Sequence, residues 1–399
     1  MKRSRRLNQV QPSLTMAIDG KAKQYRAEGR DIVSLAAGEP DFAPPAAVEQ
    51  AAIRAVKEQR GRYTAVPGIL DLRRAIAAEV QVNTGLEFSA DQVVVSSGAK
   101  QALFNALYVL CDEGDEVLIP SPYWTSYPEM ATALGLVPVI CPTGDDFRLD
   151  PRILADRISP RTRAIIVNSP ANPTGCVLGR DELLALAEVL RPHDIWVISD
   201  DIYARLVHSG RTFHNLPMVA PDFVDRTVLV DGMSKTYCMT GWRVGFAAGP
   251  RDVIQDMATI QSHSTSCANA IAQWASLEAL RAVGPELIAE MVAEYERRAA
   301  FLGQALDAIP GLRQRAPDAA FYSFPDVRSY FGQSYRGQVI TSTLEMANQL
   351  LEQELIAVVP GEAFGARGYL RLSFATSMGE LERGAMRLQR FFAEFQSAN

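Results

Sequence analysis

The chain has 399 residues, 48% of them hydrophobic, and 40 Lys and Arg stand against 46 Asp and Glu for a net charge of −6. That much apolar sequence argues against disorder and for one large domain with a smaller one, and the weak negative charge supplies no positive field for nucleic acid or an anionic membrane. Small molecules are the partners this leaves, and five cysteines without a CxxC pair suggest neither a disulfide framework nor a zinc site and fit reduced, cytoplasmic thiols.

The basic start, MKRSRRLNQVQPS, leads into no apolar stretch and does not read as a secretory signal. No apolar run approaches the roughly 20 residues of a membrane helix. AGEPDFAPP, 37–45, is too rich in Gly and Pro for a regular element and reads as a lining or linking loop before the first clear helix, 47–59. Short apolar runs follow at 93–95, 116–119, 137–140, 164–167, 196–198, 228–230 and 245–248, with amphipathic stretches between them. This alternation predicts a doubly wound α/β domain whose largely parallel sheet is covered on both faces. Helices are expected at 98–110 and at 180–190, where Leu183, Leu184, Ala187 and Leu190 recur at helical spacing. Beyond 285 a long charged helix, 289–308, and short strands near 321–324, 357–359 and 370–374 predict a second, α+β domain. No repeat and no low-complexity tract interrupts the pattern.

Several strand ends carry residues suited to chemistry, each with a plainer explanation beside it. In SSGAKQAL, 96–103, the small residues around Gly98, Ala99 and Lys100 would let helix N–H groups approach a phosphate; a Ser-Gly start also simply caps a helix. YWTSYP, 123–128, offers Trp124 as a plate for a flat ring or as core packing. NSPANPTG, 168–175, is a turn that could aim Asn172 at a ligand. SDDIY, 199–203, sets Asp200 or Asp201 at a strand end, as partner of a ring nitrogen or as a helix cap, with Tyr203 following. GMSKTYCMTGWRVG, 232–245, puts Lys235 just past a buried strand, where burial and a nearby cation such as Arg243 would make its amine an imine-forming nucleophile; a solvated loop lysine is the alternative. Arg371, in LRLSFATS, could clamp a carboxylate or form a surface ion pair. The four histidines, His193, His208, His214 and His263, lack metal-ligand spacing, and no metal is expected.

Taken in order, AGEPDF, GRYTAVPGILDLR, SGAKQALFN, SPYWTSYPEM, NSPANPTG, SDDIY, SKTYCMTGWRVG, IAQWASLEAL, VVPGEAFG and LRLSFATS resemble the class I aminotransferases of pyridoxal 5′-phosphate (PLP) fold type I, in particular the bacterial aspartate aminotransferase subgroup Iβ. The resemblance covers nearly the whole chain. It implies an N-terminal arm and part of the small domain at 1–45, a large PLP-binding domain at 46–285 and a small domain at 286–399. It also implies that Lys235 is the Schiff-base lysine and proton carrier, that Asp200 pairs with the ring nitrogen, that Asn172 and Tyr203 meet the ring's phenolic oxygen, and that Trp124 stacks on the ring. Gly98, Ala99, Lys100, Ser234 and Arg243 would hold the phosphate, and Tyr63 would reach the cofactor of a neighbouring subunit in a homodimer with shared sites. Arg371 and Gly38 would receive the substrate α-carboxylate. Lys100, with Ser13 and Thr15, would take a distal carboxylate, which favours aspartate and 2-oxoglutarate; aromatic amino acid or prephenate aminotransferase and β-lyase are the alternatives. Gln11 stands where prephenate-active members carry a lysine. Asp201, Ala171 and Ala319 replace the usual Glu, Asn and Gly, and Gly232 stands where many relatives have a phosphate-binding Ser or Thr, which leaves the role of Ser234 open.

Overall fold

The seven apolar runs become the seven strands of one sheet in the computed structural model, which describes residues 8–396; the basic start at 1–7 and residues 397–399 lie outside it. The strands are β1 (Val93–Ser96), β2 (Glu116–Ser121), β3 (Val137–Pro142), β4 (Thr162–Asn168), β5 (Trp196–Asp200), β6 (Thr227–Gly232) and β7 (Gly245–Ala248). Their spatial order is β1-β7-β6-β5-β4-β2-β3, parallel except for β7, which runs antiparallel to both neighbours.

Alternation of side chains along each strand feeds two cores. Ile119, Ala164, Ile166, Ile198 and Val230 point to one face, against Ala102, Leu103, Ala106 and Leu107 of a helix spanning Ala99–Leu110. Leu118, Ile165, Val167 and Val197 point to the other, against Leu183, Leu186, Ala187 and Leu190 of the helix Arg180–Leu190. Each of those leucines contributes about 2–3 kcal/mol by leaving water. Because β-strands in such a sheet end together, the loops after β1, β5 and β6 gather at one edge.

The second layer of structure mixes both ends of the chain. Helix Pro285–Asp307 begins earlier than the expected 289, with Pro at its first turn, where a missing N–H costs no bond. Tyr322–Ser323, Leu370–Ser373 and Val359–Pro360 form an antiparallel sheet, and Val33–Ser34 pairs in parallel with Ile356–Ala357. The single strand expected at 357–359 is therefore two, since the chain changes partner at Val358. A helix at Leu14–Ala27, not expected from the sequence pattern, precedes the loop at 37–45. Only Ala22 of it is buried, so no apolar stripe marked it; Ser13 starts it by accepting a hydrogen bond from the Met16 N–H at 3.3 Å. Among the described residues no helix is long and apolar enough to cross a membrane, and no group of three or more His, Cys, Asp or Glu could hold a metal ion.

Candidate active site

A cleft of about 410 Å³ opens at the carboxyl ends of β5 and β6, between the sheet and the layer that carries Arg371. At one end of it the backbone is unusually close. Gly245, which starts β7, has no room for a side chain: a Cβ there would stand 2.1 Å from the Ala99 nitrogen. Gly98, at φ +87°, caps the helix Ala99–Leu110, and a Cβ on it would stand 2.3 Å from a guanidinium nitrogen of Arg243. The Arg243 guanidinium donates to the carbonyls of Thr240 (3.1 Å) and Ser97 (3.3 Å) and so lies across the helix start. A helix N-terminus, an arginine fork and the buried Ser234 meet there, a set of donors of the kind that suits a phosphate.

Lys235 lies beyond the end of β6, its Nζ donating to the Gly38 carbonyl at 2.6 Å. Burial brings its amine down to about 8, with Arg371 and Arg243 pushing the same way and Glu39 and Asp200 opposing them. Asp200 ends β5, accepting from the Tyr127 hydroxyl at 2.5 Å and the Ile202 N–H at 3.3 Å. Burial raises its carboxyl to about 6 against those hydrogen bonds and the Lys235 charge. Asp201 points the other way, tied to Ser199 (2.6 Å) and Asn215 (2.9 Å), so only Asp200 lines the cleft.

Arg371 is buried, not a surface ion pair. It donates to Asn172 Oδ1 (3.1 Å) and the Ala36 carbonyl (2.7 Å), stacks 4.6 Å from the Tyr322 ring centroid, and leaves its Nε without a partner. Among the described residues no carboxylate pairs with it, and a buried guanidinium without a counter-charge fits an anionic ligand. Tyr203 shares a 2.9 Å hydrogen bond with Tyr322. Trp124 stands edge-on to Tyr127, and Lys100 Nζ lies 4.8 Å above its indole; burial and Arg243 lower the Lys100 amine. Ser13 and Thr15 line the mouth, the Thr15 hydroxyl without a partner. The Gln11 N–H donates to Glu129 at 2.7 Å.

The cleft thus gathers Ser13, Thr15, Gly38, Ala99, Lys100, Trp124, Asn172, Asp200, Tyr203, Ser234, Lys235, Arg243 and Arg371, with Gly98 beside it. Tyr63 is not among them; it is 91% exposed on this chain's surface. Three contributors went unread in the sequence. Tyr127 follows Trp124 within one helical turn, Glu39 accepts from the Thr240 hydroxyl at 2.8 Å, and Tyr322 joins Tyr203 to Arg371. The stretches holding the first two were visible, but not which way their side chains turn.

A phosphate cup, a buried amine, a carboxylate and an aromatic plate fit a flat, phosphate-bearing carbonyl cofactor such as PLP. A family model described as aminotransferase class I and II matches residues 30–388. The aspartate/prephenate aminotransferase of Nitrosomonas europaea is 42% identical over 393 residues, which span 97% of this chain and 99% of that protein. The aspartate aminotransferase of Bacillus subtilis is 39% identical over 394 residues, 98% of this chain and 99% of that protein. Among solved structures, the aspartate aminotransferase from Rhizobium meliloti has a TM-score of 0.95 at 37% identity, covering 99% of this chain and 100% of its own. The enzyme from Thermus thermophilus with maleate has a TM-score of 0.92 at 39% identity, covering 98% and 100%.

Proposed function

This chain belongs to the class I and II aminotransferases, which work with PLP, and from that premise we propose that it moves the amino group between L-aspartate and 2-oxoglutarate in two half-reactions. The bound cofactor supplies an electron-withdrawing ring and a carbonyl carbon that takes up and releases the amino group. Lys235 would hold the cofactor through its amine and would carry a proton to and from the substrate Cα; burial keeps enough of the amine neutral to serve as a base. Asp200, oriented by Tyr127, holds the proton on the ring nitrogen. Arg243, Ser234 and the helix start at Gly98, Ala99 and Lys100 grip the phosphate, Trp124 covers the ring, and Asn172 and Tyr203 take its phenolic oxygen.

One observation carries the reading: the buried amine of Lys235 shares a cleft with a buried guanidinium, Arg371, whose Nε has no partner. Arg371 with Gly38 takes the α-carboxylate common to every amino donor. Lys100, Ser13 and Thr15 take a distal carboxylate, a choice supported by the similar Thermus thermophilus enzyme with maleate, itself a dicarboxylate. A prephenate or aromatic activity is the second reading, favoured by relatives named aspartate/prephenate aminotransferase; Gln11 in place of a lysine weighs against it. We also infer a homodimer in which the exposed Tyr63 reaches the other subunit's cofactor, a cytoplasmic location, and lobes at 46–285 and at 1–45 with 286–399.

The test is a panel of amino donors against the purified PLP-loaded protein, read by absorbance as the aldehyde form of the cofactor converts to the amine form. Aspartate and glutamate are expected to convert it. Arg371→Ala should raise KM for every donor on the order of a hundredfold, whereas Lys100→Ala should harm only dicarboxylic ones. Conversion by phenylalanine but not aspartate would replace the dicarboxylate reading with the aromatic one.

A further inference from the structure

His208 is buried at 8% exposure, and both of its ring nitrogens face carbonyl oxygens: Nδ1 stands 3.1 Å from Pro317 O and Nε2 3.0 Å from Ala320 O. A neutral imidazole donates from one nitrogen only, so it satisfies one carbonyl and turns a lone pair toward the other. Both hydrogen bonds exist together only when the ring carries two protons.

The two carbonyls bracket a short turn on which several site residues depend. The backbone around His208 is laced to it: the His208 N–H donates to Asp318 O (2.9 Å) and the Ala320 N–H to Leu206 O (2.8 Å). On its other side the Asp318 N–H donates to Gly175 O (3.0 Å), at the end of the turn that holds Asn172, and Gly175 leaves no space for a Cβ beside Pro317. Ala320 is held at φ +59°, and the next two residues, both buried, pack behind the side chains that line the cleft. The Phe321 ring lies 5.9 Å from Lys235 Nζ, and Tyr322 touches Tyr203 and Arg371.

We propose that His208 is a positioning residue: with two protons it clamps the Pro317–Ala320 turn, and through Tyr322 it holds Tyr203 and Arg371 in register with Lys235. The charged groups around it come from every packed element. Asp318 on the turn is paired with Arg148, Arg211 and Arg315; Glu296 accepts from the neighbouring Ser209 N–H; and Arg298, paired with Asp41, donates to the carbonyl of Phe374, whose ring packs 6.4 Å from the imidazole. These ion pairs are made without His208, so the ring's own protons decide the clamp.

The activity arm of the test rests on the proposed aminotransferase function; the spectroscopic arm does not. His193→Asn, His214→Asn and His263→Asn together leave His208 as the sole histidine of the full chain, and 15N NMR of the labelled protein then reads its two ring nitrogens from about pH 5 to 9. Both should show the protonated signature at the acid end, with one changing as pH rises. Over the same change, the ratio of wild-type to His208→Phe kcat/KM should fall by about fivefold, the effect of one hydrogen bond. His208→Gln serves in its place if the Phe variant does not fold. A ring that shows one neutral tautomer throughout, or a ratio that stays flat with pH, overturns the proposal. A wild-type protein without aminotransferase activity overturns the proposed function instead, and the ring signal still decides the clamp.

Discussion

Asp200 ends a strand inside the protein with one tyrosine hydroxyl and one backbone N–H as its hydrogen-bond donors, and its carboxyl rises to about 6 because burial outweighs both. A carboxyl raised on folding takes up a proton as the chain folds, so its contribution to stability is present below about pH 4 and lost as pH rises through 6. Asp200→Asn is therefore expected to stabilise the cofactor-free protein at pH 7 by up to about 3 kcal/mol and to leave it unchanged near pH 4, while nearly abolishing transamination. Thermal unfolding at the two pH values checks this, and equal stability at pH 7 would mean that the buried charge costs nothing. Lys235 moves in the opposite sense. Burial brings its amine down to about 8, so the rate at which cofactor-free protein captures PLP should climb about tenfold per pH unit and level off above 8. Stopped-flow absorbance would show it, and a rate still climbing at pH 10 would contradict the lowered amine.

At the scale of elements, Gly98 and Gly245 let a strand, a helix start and Arg243 meet with almost no intervening atoms. Gly98→Ala puts a methyl against the Arg243 guanidinium at a backbone angle that disfavours it. The expected result is at least about tenfold weaker retention of PLP with little change in the helix itself, measured by cofactor loss on dilution; unchanged retention would remove Arg243 from the phosphate grip. The strands of the sheet were legible because each is a short apolar run, buried on both faces in all but the edge strand β3, and Arg180–Leu190 because its leucines recur at helical spacing. Leu14–Ala27 was not, since a helix that buries one alanine leaves no period to find. The site followed the same division. Lys235, Asn172 and Arg243 could be read from residue types just past strand ends, but the choice between Asp200 and Asp201 needed the phase of β5, and Tyr127, Glu39 and Tyr322 needed contacts between distant segments. His208 carried no signal at all, because its partners are two backbone carbonyls.

Over the whole molecule, Tyr63 is the one proposed cofactor contact that this chain does not bring to its own cleft. Sedimentation should show a dimer, and Tyr63→Ala should loosen PLP while leaving the dimer intact; a monomer that binds PLP as tightly as the wild type would sink the shared site. The strand order has a further consequence, in the time over which the molecule is made. β1 pairs only with β7, so the cup formed by Gly98 and Arg243 has no walls until the ribosome has released the chain through Ala248. Arg371 emerges later still, after the helix Pro285–Asp307. In chain order, every residue this chain places around the proposed cofactor cup has therefore been made well before Arg371, the residue proposed to take the substrate carboxylate.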